Sequence, residues 1–184
     1  FILLYSVNNV IPTIYFGTYN AFSFDTALPS GNAAPSGITQ NGTYFWITDF
    51  LDAQVYQYYM NGTFTGSNFS TAGSGSSNPR GMTQNETYFW ISDITDAQVY
   101  QYYINGTFTG SNFSTAGSGN GDPWGIIQNE TYFWITDQTD GRVYQYWMNG
   151  TFTGSNFSTT GSGNSNPIGI TQNGTYFWIS DVGD

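Results

Sequence analysis

The stretch PRGMTQNETYFWISDITDAQVYQYYINGTF, residues 79 to 108, alternates short aromatic and β-branched runs with turn residues. TYFWISD (87–93) and VYQYYI (99–104) are such runs; Asn85-Glu86 and Asn105-Gly106 are turns, and ITDAQ (94–98) is a loop. GMTQ (81–84) precedes them, and TFTGSNFST (107–115) follows before a linker, AGSGNGDP, at 116–123. Runs of this kind between turn signals predict four short strands, and no window has helical periodicity. The second strand is apolar on both alternating faces, with Tyr88 and Trp90 on one and Phe89 and Ile91 on the other. Both faces must therefore be covered.

Outward from this stretch the pattern repeats. Gly37, Gly81, Gly125 and Gly169 are spaced by 44 residues, and Asp52–Gly75 recurs at Asp96–Gly119 with one change, Met60 to Ile104. Four antiparallel strands in a strict period of this length describe a blade of an all-β protein, a β-propeller. Blades stacked face to face cover both faces of the aromatic strand. Each large buried side chain contributes about 1.5–3 kcal/mol, so the aromatic residues read first as core and only second as a stacking platform for sugars or bases.

The pattern Pro-x-Gly-Ile, aromatic-Trp-Ile-Ser/Thr-Asp, Val-Tyr-x-Tyr and Asn-Gly-Thr-Phe resembles the NHL-type and related six-bladed propeller repeats of secreted bacterial and archaeal proteins. The resemblance covers residues 35 to 184. It implies a propeller but no particular activity, because propellers host many. The chain departs from it in length, since 184 residues cannot supply six blades. About four blades are expected: units starting at 37, 81 and 125, a half-blade at 169–184, and a worn half-blade at 14–36. IYFGTYNAFSFDTALPSGNAAPSG (14–37) parallels YYMNGTFTGSNFSTAGSGSSNPRG (58–81) with one gap and one insertion. Joining the two half-blades would close a four-blade ring; pairing them between chains would build a fibre.

Residues 1 to 13 form an apolar extension outside this plan. Phe1–Val10 is expected to be a strand docking on a neighbouring copy, which would make the protein a homo-oligomer or fibre; the alternatives are that it covers its own ring or is the trimmed end of a longer chain. FILLY at 1–5 is the longest apolar run and too short to span a bilayer, and the chain does not begin with Met. It reads as a processed or trimmed chain without membrane insertion.

Twelve acidic residues face two basic ones, Arg80 and Arg142, with no Lys and no His, for a net charge of −10. That lacks the basic footprint a nucleic-acid partner needs. The absence of Cys removes disulfides and thiolate metal sites.

Asn-x-Ser/Thr, the acceptor for N-linked glycans, occurs at Asn41, Asn61, Asn68, Asn85, Asn105, Asn112, Asn129, Asn149, Asn156 and Asn173. Hairpin turn chemistry accounts for Asn-Gly-Thr at Asn61, Asn105 and Asn149. Glu86 and Glu130 replace the turn Gly and should spoil the turn, because its central positions need positive φ, which Gly tolerates and Glu does not. Yet they leave the acceptor intact, and Asn-Phe-Ser at Asn68, Asn112 and Asn156 is no turn. Glycosylation is the preferred reading, with the Asn-Phe-Ser sites on the outermost strand. Glycans and scarce Lys imply an extracellular, secreted or cell-surface protein.

Acidic pairs recur at Asp49/Asp52, Asp93/Asp96, Asp137/Asp140 and Asp181/Asp184 in the loop after the second strand. Symmetry places them in a ring on one face. Such a ring could hold Ca²⁺ through carboxylate and carbonyl oxygens; capping of the loops by backbone N–H bonds is preferred. No other cofactor is expected. Without His, Cys or Lys, acid–base or nucleophilic chemistry would fall to Asp, Glu or Tyr, so catalysis is not expected. Two functions remain: a structural glycoprotein of a filament or cell-surface layer, favoured by near-identical repeats, and a lectin-like or adhesive binding module. The varying positions Phe50-Leu51, Ile94-Thr95 and Gln138-Thr139 keep the second alive.

Overall fold

The computed structural model describes residues 23 to 28 and 30 to 183. The first blade is β1 (Pro35–Gln40), β2 (Tyr44–Asp49), β3 (Gln54–Tyr59) and β4 (Phe64–Ser70). The second is β5 (Pro79–Gln84), β6 (Tyr88–Asp93), β7 (Gln98–Tyr103) and β8 (Phe108–Ser114). The third is β9 (Pro123–Gln128), β10 (Tyr132–Asp137), β11 (Arg142–Trp147) and β12 (Phe152–Ser158), and β13 (Pro167–Gln172) with β14 (Phe177–Asp181) forms a half-blade. Strands pair antiparallel in sequence order within each sheet. The chain is a β-propeller, and β1, β5, β9 and β13 stand side by side as its inner strands.

The core lies between blades, as a two-faced aromatic strand demands. Trp46 meets Phe89 edge-on at 5.1 Å, and Phe69 of the same first blade stacks on Phe89 at 5.9 Å. Trp90 and Phe113 repeat this on Phe133 at 5.2 and 5.6 Å, and Trp134 and Phe157 on Phe177 at 5.4 and 5.5 Å. Phe24 packs on the first blade in the manner of Phe69 on the second, with centroids 6.2 Å from Phe45 and 5.6 Å from Tyr58. Ser30 Oγ lies 2.7 Å from Tyr58 Oη, as Ser118 Oγ lies 2.6 Å from Tyr146 Oη. The docking strand Phe1–Val10, the rest of the 1–13 extension and residues 14–22 of the worn half-blade lie outside the described residues.

At the other end Trp178 is 44% exposed, whereas its equivalents Trp46 and Trp90 are each 5% exposed. No following blade covers it among the described residues. Ile38, on the opposite end face, is 55% exposed where Met82 and Ile126 are 4% and 3%.

The inner hairpins differ from the sequence expectation. An Asn-Gly pair of type I′ needs positive φ at both residues, but only the second residue has it here: Gly42 at 85°, Glu86 at 70°, Glu130 at 68° and Gly174 at 87°. The Asn side chain holds the turn instead. Asn85 Oδ1 accepts the N–H groups of Thr87 at 3.3 Å and Tyr88 at 3.0 Å, and Asn85 N–H donates to the Tyr88 carbonyl at 3.2 Å. Asn41 makes the same bonds beside Gly42, at 3.1, 3.0 and 3.3 Å. Glu86 and Glu130 therefore do not spoil the turn; they occupy it under strain. Left-handed backbone costs a non-glycine residue about 1–2 kcal/mol, partly offset by the entropy that Gly would lose on folding. Glu86→Gly is expected to raise stability by about 0.5–1 kcal/mol, read from the urea midpoint, and an unchanged or lowered midpoint would refute the strain.

Candidate functional site

Each blade joins to the next through a loop running beside the β2–β3 type of loop, and the first Asp of each acidic pair ties the two together. Asp93 Oδ2 accepts Asn78 N–H at 2.7 Å and Ser76 Oγ–H at 3.0 Å, while its Oδ1 accepts Thr95 N–H at 2.8 Å. Asp49 bridges Ala34 N–H at 2.9 Å and Leu51 N–H at 2.8 Å, and Asp137 bridges Asp122 N–H at 3.2 Å and Asp140 N–H at 2.8 Å. Asp181 accepts Asn166 N–H at 2.9 Å. The second Asp of each pair accepts a tyrosine hydroxyl: Tyr56 to Asp52 at 2.6 Å, Tyr144 to Asp140 at 3.0 Å, and Tyr100 to Asp96. Apart from that of Ser76, the bonds of the first Asp are caps on loop backbone, and those of the second are side-chain bonds from tyrosine. Among the described residues no three acidic side chains converge as metal ligands would. Asp184 lies outside the described residues.

Those carboxylates and the burial of their partners have a titration consequence. Burial pushes the hydroxyls of Tyr102 and Tyr146 up to about 12, and burial with the Asp140 bond pushes Tyr144 up to about 12. Tyr56 and Tyr100 move in the same direction, chiefly through burial and then through Asp52 and Asp96. A raised folded pKa means that the folded state holds its protons longer than the unfolded chain. Stability is then fully present below pH about 10, where unfolded Tyr titrates, and falls as pH rises toward 12. Circular dichroism against pH should show cooperative loss in that window together with a late rise of tyrosinate absorbance from these five residues; complete ionisation of all the tyrosines in a chain that stays folded would contradict it.

The acceptor asparagines sit on the surface. Asn41, Asn61, Asn105, Asn129, Asn149 and Asn173 are exposed at hairpin turns, Asn85 is half-buried, and Asn68, Asn112 and Asn156 are exposed on the outermost strands β4, β8 and β12. Asn156 Oδ1 accepts Arg142 Nη1–H at 2.6 Å.

A different set of residues carries most of the differences between blades. The units 37–80 and 81–124 differ at ten positions; five of these fall in the two tied loops, Phe50/Ile94, Leu51/Thr95, Ser76/Asn120, Ser77/Gly121 and Asn78/Asp122, and a sixth, Arg80/Trp124, stands beside them at the start of the inner strand. Variation is thus concentrated on one face. The four residues preceding the repeat glycines, Ser36, Arg80, Trp124 and Ile168, line an open trough of about 800 Å³ that runs along the inner strands. Arg80 is held between two rings, its guanidinium carbon 3.9 Å from the Phe50 centroid and 4.4 Å from that of Trp124. Burial lowers the Arg80 pKa from its ordinary value, while Asp122 and Asp93 act in the opposite direction. Sequence reading passed over this pair. The signal was the residue before each repeat glycine, which differs in all four copies.

No protein-family model matches the chain, and no curated protein matches it either. The likeness to NHL-type repeats thus extends to the propeller class alone. Among solved structures, glutaminyl cyclase of Myxococcus xanthus is similar with a TM-score of 0.66 and 9% identity, over 82% of this chain and 62% of that one. A streptogramin B lyase gives 0.60 with 16% identity over 81% and 48%, and virginiamycin B lyase of Staphylococcus aureus gives 0.59 with 15% identity over 83% and 50%. The chain spans about half the length of these lyases. At such identities the likeness carries the fold alone, and since these neighbours are enzymes by name, the fold does not argue against catalysis.

Proposed function

We propose that this is an extracellular, N-glycosylated β-propeller acting as an adhesive or lectin-like binding module. Its repeated outer strands are the scaffold and its axial face the recognition surface. The observation that carries this reading is the concentration of inter-blade differences in two tied loops of one face, beside the trough. A scaffold under no demand for recognition would scatter its differences over both faces. Glycosylation rests on the exposed Asn-Phe-Ser sites of β4, β8 and β12; Glu86 and Glu130 no longer add to it, because their turns are intact.

Two measurements test the reading. Protein from its native source should lose mass when N-linked glycans are removed enzymatically, and an unchanged mass removes glycosylation. Immobilised glycans should retain the protein, and retention of none would remove the binding reading.

A second reading, a filament or cell-surface-layer subunit, draws on the end faces. Trp178 and Ile38 are exposed counterparts of residues that pack together in Trp46 with Met82 and in Trp90 with Ile126. Two copies of the 184-residue chain could bury these faces head to tail. Deleting residues 1 to 8, the proposed docking strand, should then reduce particle size, and assemblies of unchanged length would exclude that strand.

A further inference from the structure

We propose that Arg80 and Trp124 form a binding site for a carboxylate, carried on a hydroxylated body such as a sugar acid. The proposal rests on the binding reading above and names its ligand class. Both residues line the trough, and both carry donors that the protein leaves unused. Arg80 Nε and Trp124 Nε1 are buried without a hydrogen-bond partner, and among the described residues Arg80 makes no side-chain hydrogen bond or ion pair. A buried donor without an acceptor carries an unrecovered desolvation cost, and a guanidinium's planar fork matches a two-oxygen acceptor.

The nearby carboxylates do not serve. Asp93 is committed to Asn78, Ser76 and Thr95, and Asp122 Oδ2 accepts the Thr139 hydroxyl at 2.9 Å. The rings of Phe50 and Trp124 hold the guanidinium in place through cation–π contact, so little ordering entropy remains to be lost on binding. Beyond the cation, Thr39, Thr83 and Thr171 supply hydroxyls along the trough, which suits a hydroxylated body. Among the described inner strands only this sector offers a guanidinium and an indole, because Ser36 and Ile168 stand at the equivalent positions.

Tryptophan emission during titration with D-glucuronate tests the site, with D-glucose and the neutral glucuronate methyl ester as controls. A saturable change is expected for glucuronate, with the ester and glucose at least about tenfold weaker. Arg80→Met should weaken glucuronate by about 10- to 100-fold, and Arg80→Lys by less, because it keeps the charge but loses the fork. Melting curves report whether the variants fold, and the ester comparison needs no variant. Equal affinity for ester and acid, equal affinity of Arg80→Met and wild type, or no saturation by glucuronate up to on the order of 10 mM overturns the proposal. Retention on neutral glycans alongside any of these results would leave the binding reading standing, whereas retention on none removes both.

Discussion

Phe89→Ala is expected to lower stability by about 3–5 kcal/mol. Phe89 is fully buried, with Trp46 on its edge and Phe69 stacked on its face. Removing the ring forfeits its own transfer free energy and opens a cavity that two other aromatic residues line. These two belong to the preceding blade, so the loss falls on the interface between the first and second blades, and stability in stacked repeats depends on such neighbour interfaces. Phe177 is the internal control. It occupies the equivalent position in the half-blade, meets Trp134 and Phe157, and is 37% exposed. Phe177→Ala should cost less than half as much, because part of the ring is already in water. Urea denaturation of both variants decides, and equal midpoint shifts would show that the blade interfaces are not where the stability resides.

Gly81→Ala is expected to cost about 3 kcal/mol, through backbone rather than side-chain crowding. A Cβ there would lie 2.2 Å from the Trp124 carbonyl oxygen and 2.9 Å from Gly125 Cα. Neither atom can rotate away, so the inner strands β5 and β9 must separate. Gly37 makes the same approach to Arg80 and Gly81, with its Cβ site 2.2 Å from the Arg80 carbonyl oxygen. Glycine in the middle of a strand marks such a close approach of backbones. At Gly169 the nearest atom is Ser180 Oγ at 2.6 Å, the movable end of a small side chain. Gly169→Ala should therefore stay within about 1 kcal/mol of wild type. Thermal melts of the two variants make the comparison, and a neutral Gly81→Ala would mean that the inner strands do not touch as described.

The strand plan was legible because its signals are local. Tyr88, Phe89, Trp90 and Ile91 alternate within one run, and Asn105-Gly106 closes a turn with its own atoms, so neighbours in the chain suffice to define them. The repeat spacing then implied stacking, because a strand apolar on both faces has no other way to leave water. Capping by Asp93 was legible in part: its bond to Thr95 is local, but its bonds to Asn78 and Ser76 depend on where the preceding loop lies.

The turns at Glu86 and Glu130 show where local reasoning misled. Backbone propensity speaks against Glu at positive φ, yet Asn85 and Asn129 anchor the turn through their side chains and the strands on either side fix its ends, so the strain is carried. Sequence by itself thus determined an all-β chain of repeated blades, the positions of its hairpins and the display of acceptor asparagines on outer strands. Only the tertiary structure decided that Arg80, Phe50 and Trp124 belong together. Phe50 and Arg80 are 30 residues apart, and Arg80 and Trp124 are 44 apart. The close approach of inner strands at Gly37, Gly81 and Gly125 sets equivalent positions of successive blades side by side around the trough, and that contact is a property of the packed sheets that no single blade contains.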